Sequence, residues 1–227
     1  MRLLRCGRWI LGLGLAGWIA WVGSGTLSAA ENDSIEKMKT PEEIRMFREN
    51  FIKKFERTPL NTTPGDADFL KIMVESTNAK RGLEVGTASG YGAIHMGLAF
   101  EQTGGALTTV DIDPRMVKIA RENLKAVGLE KTVTVVEGDA LKVIPTLEGP
   151  FDFVFIDALK KDYYKYFKAV LPLLKPKAVI VADNVIQSAN EMRDFLDAMK
   201  NNPDYDMVII RCSAEKNDGM AVISKNK

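Results

Sequence analysis

The chain has 227 residues, with 31 Lys and Arg against 30 Asp and Glu, a formal net charge of +1, and one histidine. So even a balance gives no reason to expect nucleic acid or an anionic membrane surface as partner. Two cysteines and a lone histidine argue against a disulfide-built scaffold, a Cys/His zinc site and a histidine-based triad.

Residues 1–30 read as a targeting segment. Arg2, Arg5 and Arg8 form a basic start, an uncharged apolar run follows over 9–22, and Ser28-Ala29-Ala30 offers a small-residue cleavage site. The alternative is a retained membrane anchor, since no charge occurs from Trp9 to Ala30 and about 20 apolar residues span a bilayer. Both readings place the rest of the chain outside the cytoplasm: exported, periplasmic or secreted, or anchored there. A membrane is then a partner only through this segment. Cleavage would leave 197 residues with 28 Lys and Arg against 30 Asp and Glu, no tryptophan, and Cys212 as sole cysteine. That length suits one α/β domain with a sizeable core.

Residues 31–59 read as a polar linker and an amphipathic helix opened by Pro41, with Ile44, Phe47, Phe51 and Phe55 on one face. This face packs on the domain. The sharper alternative is a lid or the contact of a homodimer. A turn-rich loop follows, then a helix over 66–78 with Asp66 as a plausible N-cap.

Residues 81–92, RGLEVGTASGYG, read as a buried parallel strand that runs into a tight turn and opens a helix. Gly86, Gly90 and Gly92 let backbone approach a ligand where a Cβ would block it, and the helix start turns free N–H groups toward the turn. The dinucleotide fingerprint fails, because Ala88 stands two places after Gly86. The hydrolase elbow fails because its serine comes one place late, at Ser89, and no phosphate-loop Gly-Lys-Ser/Thr exists.

From there strands read at 82–85, 107–112, 133–136, 151–156, 178–182, 207–211 and 220–223. Helices read between the first six, at 90–101, 114–127, 140–147, 163–174 and 189–200. This alternation implies a doubly wound, mostly parallel sheet, and the short turn before the last strand implies an antiparallel edge hairpin. Ligands of such sheets bind outside the carboxyl ends of the strands, so acids there are the candidates.

Asp111 ends the second strand, twenty-five positions after Gly86, near the spacing at which an acid reaches a ribose hydroxyl. Its alternative role as a cap is better filled by Asp113. Asp139 either accepts from an adenine amino group or caps the next helix. Asp157 ends the fourth strand, and Asp183 and Asn184 end the fifth. Oxygen donors without sulfur or imidazole suit Mg²⁺, Ca²⁺ or Mn²⁺; a capped loop with an acid pair is the plain alternative. Lys160 is placed as a base or an electrostatic group, unless it is simply solvated beside Lys161. His95 reads as a packed helix residue rather than a ligand.

Taken together, Glu84-Val85-Gly86, Gly90-Tyr91, Val110-Asp111-Ile112-Asp113-Pro114, Gly138-Asp139-Ala140, Ile156-Asp157 with Lys160, Asp183-Asn184 and Asp218-Gly219 stand in one order. That order resembles the cation-dependent, S-adenosylmethionine (AdoMet)-dependent O-methyltransferases of the catechol and caffeoyl-CoA type, over about 60–227. The resemblance implies a Rossmann-like class I methyltransferase fold: a seven-stranded, mostly parallel sheet with a reversed last strand. It implies AdoMet contacts at Asn61, Thr62, Glu84, Gly86, Asp111 and Asp139, with Gly90 and Ala140 beside them. It implies metal ligands at Asp157, Asp183 and Asn184, with Lys160 as the base and a small catechol-like or phenolic acceptor. Two departures stand out: Gly92 replaces the family's usual serine, and the segment after Asn184 has no obvious match to the acceptor-binding loop. An exported, non-catalytic nucleoside- or metabolite-binding protein on the same fold is the alternative function.

Overall fold

The computed structural model describes residues 34–200 and 202–226. The expected targeting segment, 1–30, lies outside the described residues. Among the described residues, no helix is long and apolar enough to cross a membrane.

Seven strands form one sheet: β1 (Arg81–Val85), β2 (Ala106–Asp111), β3 (Val133–Glu137), β4 (Phe151–Ile156), β5 (Leu174–Ala182), β6 (Tyr205–Ile210) and β7 (Met220–Lys225). Their order is β3-β2-β1-β4-β5-β7-β6, with β7 antiparallel to both its neighbours and the other pairings parallel. The chain leaves β1 toward β2 and β3, then returns to β4 on β1's other side. The sheet therefore changes winding direction between β1 and β4, and loops there splay apart to leave a crevice.

The β4 residues FDFVFI show why the sheet is buried on both faces. Phe153 and Phe155 face a cluster with Leu70, Phe100 and Leu124, whereas Val154 and Ile156 face one with Tyr163, Phe167 and Phe195. All four are fully buried, each contributing roughly 1.5–3 kcal/mol relative to exposure.

Helices α1 (Pro41–Lys53), α2 (Pro64–Ser76), α3 (Tyr91–Thr103), α4 (Pro114–Ala126), α5 (Ala140–Val143), α6 (Tyr163–Val170) and α7 (Arg193–Lys200) cover the faces. Thr40 and Glu43 close a capping box on α1, and Pro41 fills its first position. Phe51, Ile52 and Phe55 pack against the core, and Arg48 pairs with Glu101 at 2.6 Å, so α1 lies on the domain as expected. The cap of α2 is Thr63 rather than Asp66: the Thr63 hydroxyl accepts the Asp66 N–H, and Pro64 starts the helix two residues early. Asp113 caps α4, as expected.

Of the other boundaries that differ from the sequence reading, three have local reasons. β5 begins at Leu174, and its register with β4 shifts past Pro176, which has no N–H to give the ladder. α6 ends at Val170, and Pro172 lies in the 3₁₀ turn that follows. α7 starts at Arg193, because the preceding residues form turns in which the Ser188 carbonyl accepts from Glu191 and Met192.

Candidate active site

The site begins at the end of β1. Gly86 has φ +98°, and a Cβ there would press on the Asp157 carbonyl, so only glycine lets β1 and β4 end side by side. The Asp157 N–H donates to the Val85 carbonyl and the Gly86 N–H to that of Val110. Three strand ends are thus tied at one point. Above them opens a cavity of about 890 Å³.

The cavity is lined by Asn61, Thr62, Gly86, Asp111, Asp139 and Ala140. Asp111 Oδ2 accepts the N–H groups of Thr87 and Ala88, and its Oδ1 accepts that of Asp113, which holds the glycine turn over β2. Asn61 Oδ1 accepts from the Ser89 hydroxyl at 2.7 Å and anchors the loop before α2 to the same turn. Asp139 Oδ1 accepts the Leu141 N–H and caps α5, the helix-capping role foreseen as one of its two readings.

Two of the eight residues expected around AdoMet do not line the cavity. Glu84 lies beneath the turn, 2% exposed, with Oε2 accepting from Thr109 at 2.6 Å. Burial, then the charges of Asp157 and Asp111, push its carboxyl up to about 8. Gly90 (φ +92°) opens α3, and a Cβ on it would sit 3.3 Å from Ala120, so it sets how closely α3 meets α4.

Asp157, Lys160, Asp183 and Asn184 line the same cavity. Lys160 Nζ donates to Asp157 Oδ1 at 2.6 Å and to the Tyr163 hydroxyl at 2.8 Å, and that hydroxyl donates to the Asp183 carbonyl. Asp183 is 2% exposed; burial, then the negative Asp157, push it up to about 6. Asn184 holds φ +59°, a left-handed conformation that asparagine tolerates, and its amide donates to Asp218. Asp218 Oδ1 gathers the N–H groups of Ile186, Gln187 and Gly219, which fixes the loop after β5 against the start of β7. Those contacts outweigh its burial and hold its carboxyl below the usual range.

Sequence reasoning missed Lys216. Its Nζ lies 2.7 Å from both oxygens of Asp183 and 2.8 Å from Asp66 Oδ2. Burial pulls its pKa down, but the two carboxylates outweigh this and raise it. In the polar run Lys216-Asn217-Asp218-Gly219 nothing marks a lysine that folds inward. Tyr163 was missed too, for it reads as core and is also the hydroxyl that links Lys160 to Asp183.

As donors for a metal, two carboxylates and an amide oxygen suit a hard cation; here Lys160 pairs with Asp157 and Lys216 with Asp183. Among the described residues, no group of three or more His, Cys, Asp or Glu side chains is arranged to hold a metal ion. His95 lies elsewhere: its Nδ1 is 3.3 Å from Asp68, its ring packs at a tilt against Tyr91, and burial lowers its pKa.

The O-methyltransferase family model matches residues 32–216. The chain belongs to the O-methyltransferase family. Among curated relatives, a catechol O-methyltransferase of Niastella koreensis is 38% identical over 132 residues, 56% of this chain and 59% of the relative. The match thus spans under two thirds of that relative's own length. A catechol O-methyltransferase of Mycobacterium tuberculosis is 34% identical over 167 residues, 68% of this chain and 76% of the relative. Among solved structures, the O-methyltransferase TomG of Streptomyces achromogenes, in complex with SAM, superposes with TM-score 0.70 at 26% identity, over 84% of this chain and 92% of that one. The expected family and the class I fold are both borne out. Within the O-methyltransferase frame the cavity lies at the carboxyl ends of β1, β2, β4 and β5, where the sheet changes direction.

Proposed function

We propose that the protein is an AdoMet-dependent O-methyltransferase that acts, with a divalent cation, on a small catechol-like or phenolic hydroxyl. The observation that carries this reading is that Asp157, Lys160, Asp183 and Asn184 line the same cavity as Asn61, Gly86, Asp111 and Asp139. The SAM complex of TomG and the relatives named as catechol O-methyltransferases support it.

AdoMet supplies a methyl group activated on a sulfonium. Asn61, Thr62, Gly86, Asp111, Asp139 and Ala140 would hold it, with Glu84 and Gly90 shaping the turn from below and behind. Asp157, Asp183 and Asn184 would hold the cation, Mg²⁺ in the first instance, with Ca²⁺ or Mn²⁺ as the alternatives. When bound, that ion would orient vicinal oxygens of the acceptor and make one easier to ionise. In its neutral form Lys160 would take the acceptor's proton on the Nζ lone pair, and its bonds to Asp157 and Tyr163 keep Nζ at the mouth. The remaining contribution of the chain is positioning, because a direct transfer needs the acceptor oxygen and the methyl in line.

Asp157→Ala and Asp183→Ala are expected to abolish methyl transfer and leave AdoMet binding, measured by calorimetry, within a few-fold of the parent. Full turnover by both variants in excess chelator contradicts the cation's role. AdoMet binding by the parent without transfer to any of a panel of catechols favours the non-catalytic binding protein instead.

A further inference from the structure

Lys216 is a positive charge already seated where the proposed cation would bind. It comes from the loop between β6 and β7, which is drawn against the start of α2: a Cβ on Gly65 would meet the Cys212 carbonyl at 2.5 Å. The side chain is 18% exposed, and its Nζ engages both oxygens of Asp183. On its other side lies Asp66, whose side chain is 1% exposed. Asp66 Oδ2 receives the Thr63 hydroxyl and Lys216, while its Oδ1 is buried with no hydrogen-bond partner. A buried carboxylate oxygen without a donor is costly, so Asp66 has an acceptor to spare within reach of the same ammonium.

We propose that Lys216 is a resident counter-ion of the mouth, and that a divalent cation binds only by displacing its ammonium from Asp183 onto the open oxygen of Asp66. This rests on the reading of Asp157, Asp183 and Asn184 as cation ligands. Two cations cannot share Asp183 at bonding distance without strong repulsion in so buried a setting. The loop therefore weakens cation affinity, and Asp66 sets by how much, since it holds the ammonium once it is displaced.

The test is Mn²⁺ binding to the full chain, saturated with AdoMet and read from the electron paramagnetic resonance signal of free Mn²⁺. Lys216→Met should tighten Mn²⁺ by roughly tenfold or more, and Lys216→Arg, which keeps the charge, should stay near the parent. Asp66→Asn should weaken Mn²⁺ in the parent and have no effect in the Lys216→Met background, a coupling that a long-range field would not give. Should Lys216→Met alone fail to fold, the Asp66→Asn/Lys216→Met double variant removes carboxylate and ammonium together and carries the comparison with Asp66→Asn. Equal, measurable affinity in parent and Lys216→Met, or an Asp66→Asn effect of the same size in both backgrounds, overturns the displacement and leaves the cation site standing. Tightening that survives Asp157→Ala puts the ion elsewhere and overturns it too. No Mn²⁺ binding by any folded variant overturns the cation site and the displacement with it.

Discussion

Glu84 makes the stability of this protein depend on pH. Its folded-state pKa of about 8 lies above its ordinary 4.5, first because of burial and then because of Asp157 and Asp111. Between those values the folded chain keeps a proton that the unfolded chain has lost, so stability falls as pH rises from 4.5 to 8. The loss is on the order of 4 kcal/mol for a group so fully enclosed. Glu84→Gln removes the titration. Thermal unfolding of the protein without AdoMet should show a flatter pH profile for the variant and a higher Tm than the parent at pH 8; parallel profiles would contradict this. The same corner accounts for Gly92, where the sequence alone suggests only a departure from a family pattern. A Cβ there would lie 3.0 Å from Thr62 Oγ1 and 3.1 Å from Glu84 Oε1. The space that a serine would need is already filled by Thr62 and the buried acid, a fact that depends on a loop folding back and that no letter of the sequence carries.

The strand–turn–helix unit of β1 and α3 is the element most legible beforehand. An apolar strand, closely spaced glycines and a helix with apolar residues on every side leave few other structures open. Gly86 is its critical residue. Gly86→Ala forces a left-handed conformation on a residue with a Cβ and drives that Cβ into the Asp157 backbone, at a cost of at least about 2 kcal/mol. The variant should lose AdoMet affinity by more than tenfold in calorimetry and unfold at lower denaturant; unchanged values for both would contradict the turn's role. Elements at the far side of the sheet were harder to read. The bulge at Pro176 and the late start of α7 depend on which carbonyls find donors in the turns before them, and hydrophobic periodicity does not report that. Asp157, Asp183 and Asn184 were legible because strand ends can be read from apolar runs. Lys216 was not, since its partner Asp66 is 150 positions away on another element.

At the scale of the whole molecule, the order β3-β2-β1-β4-β5-β7-β6 turns scattered sequence positions into one cavity. The reversal between β1 and β4 sets Gly86 beside Asp157, and the antiparallel β7 carries Asp218 and the loop of Lys216 back to the ends of β5. A second cavity, about 720 Å³, lies between α1 and α3 and is lined by Arg48, Ile52 and His95; the strand-end acids do not reach it. Processing after Ala30 is expected to remove Trp9, Trp18 and Trp21. The processed product should then show tyrosine emission only, whereas a retained anchor keeps the tryptophan band. The proposed function depends on AdoMet and a hard cation meeting in the cavity above Gly86. The most direct measurement is transfer of a labelled methyl group from AdoMet to catechol by the purified protein, with Mg²⁺ and with excess chelator. Labelled product that forms with Mg²⁺ and disappears with chelator is the predicted result. Equal labelling under both conditions, or none with Mg²⁺ although AdoMet binds, would contradict it.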